Sequence, residues 1–193
     1  TLELILTTLH SGGKFGDGQS YIRSGGLHGV GSSVVNALSR VLTATIKRDG
    51  YEWTQTFKRG RPAGKLEKVG PNRLHGTSIY FEPDPEIFRV THFDADWIKT
   101  RLDDIAYIHH GLKIHFKNEI TDESFDLTHP GGLPEFLTKL VAESQKPVVN
   151  AMPFYVLKEG DEKIELTMQW TESTDEAFRS YVNGIRTSDG GTH

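Results

Sequence analysis

Cysteine is absent from the 193-residue chain, which excludes disulfides and thiolate-held metal and suits the cytosol. No apolar run reaches the roughly twenty residues of a membrane span, and the first residues lack the basic, apolar, small-residue order of a secretory signal. An intracellular, cytoplasmic protein with no membrane partner is expected. Familiar nucleotide motifs are missing as well: no Lys precedes Ser32 and Ser33 as GxxxxGK[ST] requires, and the glycines before them do not follow GxGxxG. The nine histidines form no HExxH or HxxxH pair with a suitable carboxylate, His109 and His110 are expected on different helix faces, and no GxSxG occurs. Asp103 and Asp104 fall where a solvated helix face explains them. Read alone, the residues show no catalytic group and no metal ligands.

What is present is an ordinary globular composition, 36% hydrophobic and 25% charged, with a net charge of −4. The charge is uneven. Residues 1–73 hold eleven Lys and Arg against five Asp and Glu, and the remainder holds eleven against twenty-one. A basic first part fits an anionic ligand, although solvated charge accounts for most of these side chains. With no initiator Met, helical periodicity from the second residue and a turn signal at the last five, the chain is expected to be an internal piece of a longer protein.

The densest signal is Ser24-Gly25-Gly26-Leu27-His28-Gly29-Val30-Gly31-Ser32-Ser33, where four glycines crowd into the seven positions 25–31. Such a run lets several backbone N–H groups converge on one anion, and the start of a following helix adds partial positive charge. Ser32 and Ser33 are candidate N-caps, and Val34, Val35, Ala37 and Leu38 supply an apolar stripe over a helix of residues 32–40. The alternative is a turn that lets the helix pack closely.

Along the chain, Leu2, Ile5, Leu6 and Leu9 predict a short helix with one buried face. Residues 14–23 are polar and long enough for a lid, with Lys14 either poised over a phosphate or solvated. Leu42, Ala44 and Ile46 and then Tyr51, Trp53 and Phe57 predict a hairpin turning at Asp49-Gly50, with Arg48 at its rim, within reach of a ligand or solvated. Residues 58–65 read as a solvated basic loop. Residues 76–81 predict a strand in which a buried Thr77 hydroxyl needs either a ligand or a carbonyl. Asp94 caps a helix bearing Ile98, Leu102, Ile105 and Ala106 and closed by Gly111. Strands follow over residues 112–117 and around Phe125. Beyond Pro130-Gly131-Gly132 come a helix with Leu133, Phe136, Leu137, Leu140 and Val141, two strands joined by Glu159-Gly160-Asp161, and a strand over residues 178–182. This part opens a second domain.

His10-Ser11-Gly12-Gly13-Lys14-Phe15, the glycine stretch, Ser33-Val34-Val35-Asn36-Ala37-Leu38-Ser39, Gly76-Thr77 and Gly190-Gly191-Thr192-His193 closely resemble, in order and spacing, the B subunits of the bacterial type II DNA topoisomerases, gyrase and topoisomerase IV. The resemblance covers the full length. It implies an α/β (α+β) fold: a two-layer sandwich of the GHKL (Bergerat) ATPase type, incomplete at its N-terminus, over residues 1–131, then the beginning of a transducer domain of ribosomal S5-like fold over residues 132–193. It implies that Leu27, His28, Gly29, Val30 and Gly31 hold a triphosphate through backbone N–H groups, with Gly13 and Lys14 beside them. Tyr21 lies near the adenine, Ile5 lines its pocket and the Thr77 hydroxyl supports its recognition. Arg48 matches the arginine engaged by aminocoumarin inhibitors.

The resemblance further implies ATP and Mg2+ as cofactors, and DNA, a gyrase A-type subunit in an A2B2 assembly, and a second B-type chain on ATP binding as partners. The family's general-base Glu, magnesium-binding Asn and adenine-reading DxGxG segment precede the equivalent of Thr1, and its transducer Gln and Lys follow His193. The expected function is the ATP-binding portion of a gyrase-type B subunit, an ATP-hydrolysing topoisomerase when intact but inactive as this chain alone. The alternatives are a topoisomerase IV B subunit, a non-catalytic ATP-gated dimerisation module, and a DNA-binding module using the basic first part.

Overall fold

A computed structural model describes residues 2–11, 28–160 and 162–188. The chain divides into two compact units, residues 1–92 and 93–193. The first holds helices α1 (Leu2–Thr7) and α2 (Gly31–Ala37) and strands β1 (Ser39–Arg48), β2 (Tyr51–Lys58), β3 (Arg61–Pro62), β4 (Glu67–Pro71) and β5 (Gly76–Pro83). These strands form one antiparallel sheet in the order β3-β2-β1-β5, with β4 also on β2. The β1–β2 turn is the predicted one. Asp49 and Gly50 both have positive φ, 55° and 79°, the geometry that matches strand twist in a two-residue hairpin.

Register sorts the side chains. Leu42, Ala44, Ile46 and Arg48 of β1 face Phe57, Gln55, Trp53 and Tyr51 of β2, and the first three of them face Phe81, Ile79 and Thr77 of β5. Because strand side chains alternate with a period of two, all of these share one sheet face. That face carries the core: Leu6 of α1 joins Leu42, Ala44 and Phe57, with Leu2 packed against them. Burying side chains the size of Leu42 and Phe57 contributes about 1.5–3 kcal/mol each. The other face is polar, with Thr43 Oγ1 and Thr56 Oγ1 3.0 Å apart. A sheet with helices on one face is the expected two-layer arrangement.

Several local expectations need correction. The helix read over residues 32–40 is shorter, since Ser39 already pairs with Pro83 in the sheet. Its N-cap is Val30, with no side-chain cap, because Ser32 Oγ donates to the Ile5 carbonyl and Ser33 Oγ to the Val30 carbonyl. Its buried residues are Ser33 and Asn36 and not the apolar stripe, as Val34 and Val35 remain 42% and 40% exposed. On α1 only Leu6 is buried, whereas Ile5 and Leu9 are exposed. Two strands of this first unit escaped the reading: β3 within the supposed basic loop, and β4, whose Lys68 ammonium lies 3.1 Å from the Tyr51 ring centroid.

The second unit holds α3 (Ala95–Ile108), β6 (Ile114–Asn118), β7 (Glu123–Leu127), α4 (Gly132–Ser144), β8 (Phe154–Glu159), β9 (Lys163–Met168), β10 (Ser180–Val182) and β11 (Ile185–Thr187). The Asp94 carboxylate accepts from the Trp97 N–H at 2.9 Å, the predicted cap. β6–β7, β8–β9 and β10–β11 are each antiparallel pairs. The last was read as one strand; an Asn183-Gly184 turn with φ of 50° and 79° returns it as a hairpin.

α3 and α4 are fastened by a polar cluster. Asp103 receives Lys139 Nζ and the His129 Nε2 edge, each at 2.6 Å, and His129 Nδ1 lies 3.2 Å from Glu135. The His129 ring stacks on Tyr107, centroids 3.4 Å apart, and Tyr107 stacks on Phe136. Asp103 is thus only 19% exposed, which corrects its reading as a solvated helix position. Burial alone pushes its carboxyl pKa up, but Lys139 and His129 outweigh that and hold it below the ordinary value. Among the described residues no helix is long and apolar enough to cross a membrane.

Candidate functional site

The site is built where α1 ends. His10 adopts a left-handed φ of 56°, turning the chain out of the helix, and its N–H donates to the Gly29 carbonyl at 2.9 Å. Gly29 itself has φ of 59°, a conformation that residues with a Cβ adopt at a cost. Val30 follows at φ −117° and leads into Gly31, the first residue of α2. Among the described residues no side chain caps that first turn. An uncapped helix start beside a left-handed glycine presents N–H groups and partial positive charge, the combination that suits phosphate oxygens. Gly31 differs from Gly29: its φ is not positive, and a Cβ built on it meets nothing within 4 Å among the described residues.

Thr77 and Arg48 belong to the same sheet face as the core, through Ile46, which pairs with Thr77 and lies two residues before Arg48. The face against which α1 packs therefore extends, at the β1–β2 turn, into a hydroxyl and a guanidinium. Thr77 is exposed, contrary to the expectation of a buried hydroxyl, since Gly76 begins the strand and Thr77 is only its second residue. Arg48 is 70% exposed, and its Nε lies 3.4 Å from Asp49. Ile5 is 42% exposed, and its carbonyl is held by Ser32 of α2 at 3.2 Å.

Of the expected site residues, the structure thus brings Ile5, Gly29, Val30 and Gly31 into one neighbourhood, with His28 exposed beside them. Gly13, Lys14, Tyr21 and Leu27 lie outside the described residues. Two contacts were not anticipated: Ser32 and Asn36 of α2 both donate to carbonyls of α1. Their signal was available as polar residues inside an apolar helical pattern. An open cleft of about 490 Å³, lined by Leu2, Glu3, Leu4, Thr7, Thr8, Gln55 and Leu66, includes none of the expected residues. Among the described residues no three histidine or carboxylate side chains gather as a metal site.

A family model for DNA gyrase B matches residues 132–193. Over its full length the chain is 44% identical to the B subunit of DNA gyrase from Clostridium acetobutylicum and 40% identical to the B subunit of DNA topoisomerase 4 from Bacillus subtilis, covering 30% and 29% of those proteins. The 43K ATPase domain of Thermus thermophilus gyrase B, solved with an aminocoumarin, superposes with a TM-score of 0.77 at 30% identity over 96% of this chain and 46% of that one. The topoisomerase IV ATP-binding domain of Francisella tularensis, solved with a small-molecule inhibitor, gives 0.74 at 34% identity over 96% of this chain and 47% of that one. The chain spans about a third of the length of these curated relatives. In sequence and in its mixed α/β, GHKL-type fold, the chain belongs to the family of DNA gyrase and topoisomerase IV B subunits.

Proposed function

We propose that this chain is the ATP-binding portion of the B subunit of an ATP-dependent type II DNA topoisomerase, DNA gyrase, comprising the C-terminal part of the ATPase domain (residues 1–131) and the beginning of the transducer (residues 132–193). The observation that carries this reading is the junction of Gly29, with its left-handed φ of 59°, and an α2 start whose N-cap residue, Val30, offers no side-chain cap. The backbone N–H groups of Gly29, Val30 and Gly31 hold the triphosphate, helped by Gly13, Lys14, Leu27 and His28. Ile5 lines the adenine pocket, Tyr21 lies near the base, and Thr77 supports its recognition. Arg48 at the hairpin rim takes an aminocoumarin.

These residues bind and orient; none of them is a general base. The described candidates include no carboxylate, so Mg2+ and the residue that activates water come from the rest of the parent protein. Mg2+ supplies charge neutralisation of the phosphates, and this chain alone does not hydrolyse ATP. In the intact cytoplasmic protein, ATP binding closes two B subunits, and hydrolysis is coupled to strand passage in DNA held with an A-type subunit.

The test is purification of the intact B subunit with its A-type partner. ATP-dependent negative supercoiling of relaxed plasmid is the expected result. Decatenation without supercoiling would make it a topoisomerase IV B subunit, the second reading, which the 40% identity to a protein of that kind supports. ATP-induced dimerisation with no hydrolysis would leave only a nucleotide-gated module.

A further inference from the structure

At the end of α1 the Leu4 carbonyl still accepts the Thr8 N–H at 3.0 Å, whereas His10 turns its N–H to Gly29 and away from the Leu6 carbonyl. The Ile5 and Leu6 carbonyls are met from the other helix. Ser32 Oγ donates to the Ile5 carbonyl at 3.2 Å and Asn36 Nδ2 to the Leu6 carbonyl at 2.9 Å. Ser32 and Asn36 are four residues apart on α2, and so lie on one helix face, one turn apart. With His10 N–H on the Gly29 carbonyl at 2.9 Å, three hydrogen bonds fix the register between α1 and the glycine segment.

Asn36 is fully buried, and its Oδ1 finds no partner among the described residues. A buried acceptor left unmet destabilises a fold. An apolar side chain at this position would avoid that cost and could not hold the Leu6 carbonyl. The amide therefore serves the connection between the helices at the expense of packing.

We infer that Asn36, assisted by Ser32, is a positioning residue for nucleotide: it locks the phosphate-facing start of α2 to the α1 backbone at Ile5 and Leu6, so that the triphosphate and base subsites are held at a fixed separation. This rests on the nucleotide site proposed above. Asn36 touches no ligand atom itself. Its effect falls on the gain in affinity from adding phosphates to adenosine, because a loosened register moves the loop amides relative to a base pocket that stays intact.

The experiment compares adenosine with a non-hydrolysable ATP analogue on the intact B subunit carrying Asn36→Ala or Ser32→Ala. Asn36→Ala is expected to weaken the triphosphate about tenfold and Ser32→Ala about threefold, with adenosine affinity within about twofold of wild type. Equal weakening of both ligands, or no change in either in a folded variant, would overturn the inference. If Asn36→Ala does not fold, the exposed Ser32→Ala decides alone by the same ratio. Failure of the wild-type protein to bind the triphosphate would overturn the nucleotide site itself, an outcome separable from failure of the register lock.

Discussion

Two glycines of the same motif have different reasons to be glycine. Gly29 needs its left-handed φ of 59°, so Gly29→Val strains the empty protein by about 1–3 kcal/mol as well as obstructing a ligand. Gly31 has no described residue near its Cβ position and no positive φ. Gly31→Ala is therefore expected to leave the melting temperature unchanged while weakening the ATP analogue at least tenfold, because only a bound phosphate would meet the new methyl. Calorimetry alongside binding measurements separates the two, and undiminished affinity in Gly31→Ala would mean the phosphate does not approach there. The Asp103–Lys139 pair makes a prediction in pH. The folded carboxyl lies below its ordinary 3.8, so its contribution is present above that value and fades as pH falls through the folded pKa. The Lys139 ammonium, which burial pulls down but Asp103 more than restores, lies above 10.5, so its contribution is present below that value and fades as pH rises through the folded one. Urea unfolding should show Lys139→Met less stable by about 1–2 kcal/mol near neutrality, a difference that narrows at both extremes. A difference that does not vary with pH would remove the ion pair from the account.

Among the elements, the β1–β2 hairpin was legible because Asp49-Gly50 sits between two alternating runs, and α3 because Asp94 announces its start. Elements whose stability comes from pairing and not from pattern were not legible. β4, with Lys68 and Val69 side by side in a short polar segment, exists because its backbone bonds to β2, and β11 because Asn183-Gly184 folds it back on β10. α2 shows the limit most clearly. Its apolar residues suggested the buried face, yet Ser33 and Asn36 are buried, since Asn36 bonds to the α1 backbone. The glycine segment could be found in the sequence, but not the fact that α1 ends against it. At this scale Asp49→Ala combined with Gly50→Ala is expected to destabilise the first unit by about 1–3 kcal/mol, through two left-handed positions, and to displace Arg48. Thermal melts should record the loss, and aminocoumarin affinity should fall with it; unchanged affinity would mean that Arg48 does not contact the inhibitor.

At the scale of the molecule, one sheet face does two jobs in the first unit. Leu42, Ala44 and Phe57 bury Leu6 against it, and the same face runs on to Thr77 and Arg48 at the turn. The core that stabilises the unit therefore also sets the distance from helix to sheet across which a nucleotide would lie. Family resemblance over the whole chain was readable from the glycine stretch and the residues after it, because spacing over so many positions is specific. The placement of those glycines, which the proposed nucleotide site needs, depends on hydrogen bonds between residues about thirty positions apart, such as Asn36 to Leu6, and these have no signature in local pattern. The most direct measurement is a crystal structure of the intact B subunit with a non-hydrolysable ATP analogue. The account predicts phosphate oxygens within about 3.2 Å of the backbone nitrogens of Gly29, Val30 and Gly31, with the adenine between Ile5 and Thr77. A triphosphate bound elsewhere, with those N–H groups facing protein atoms, would contradict it.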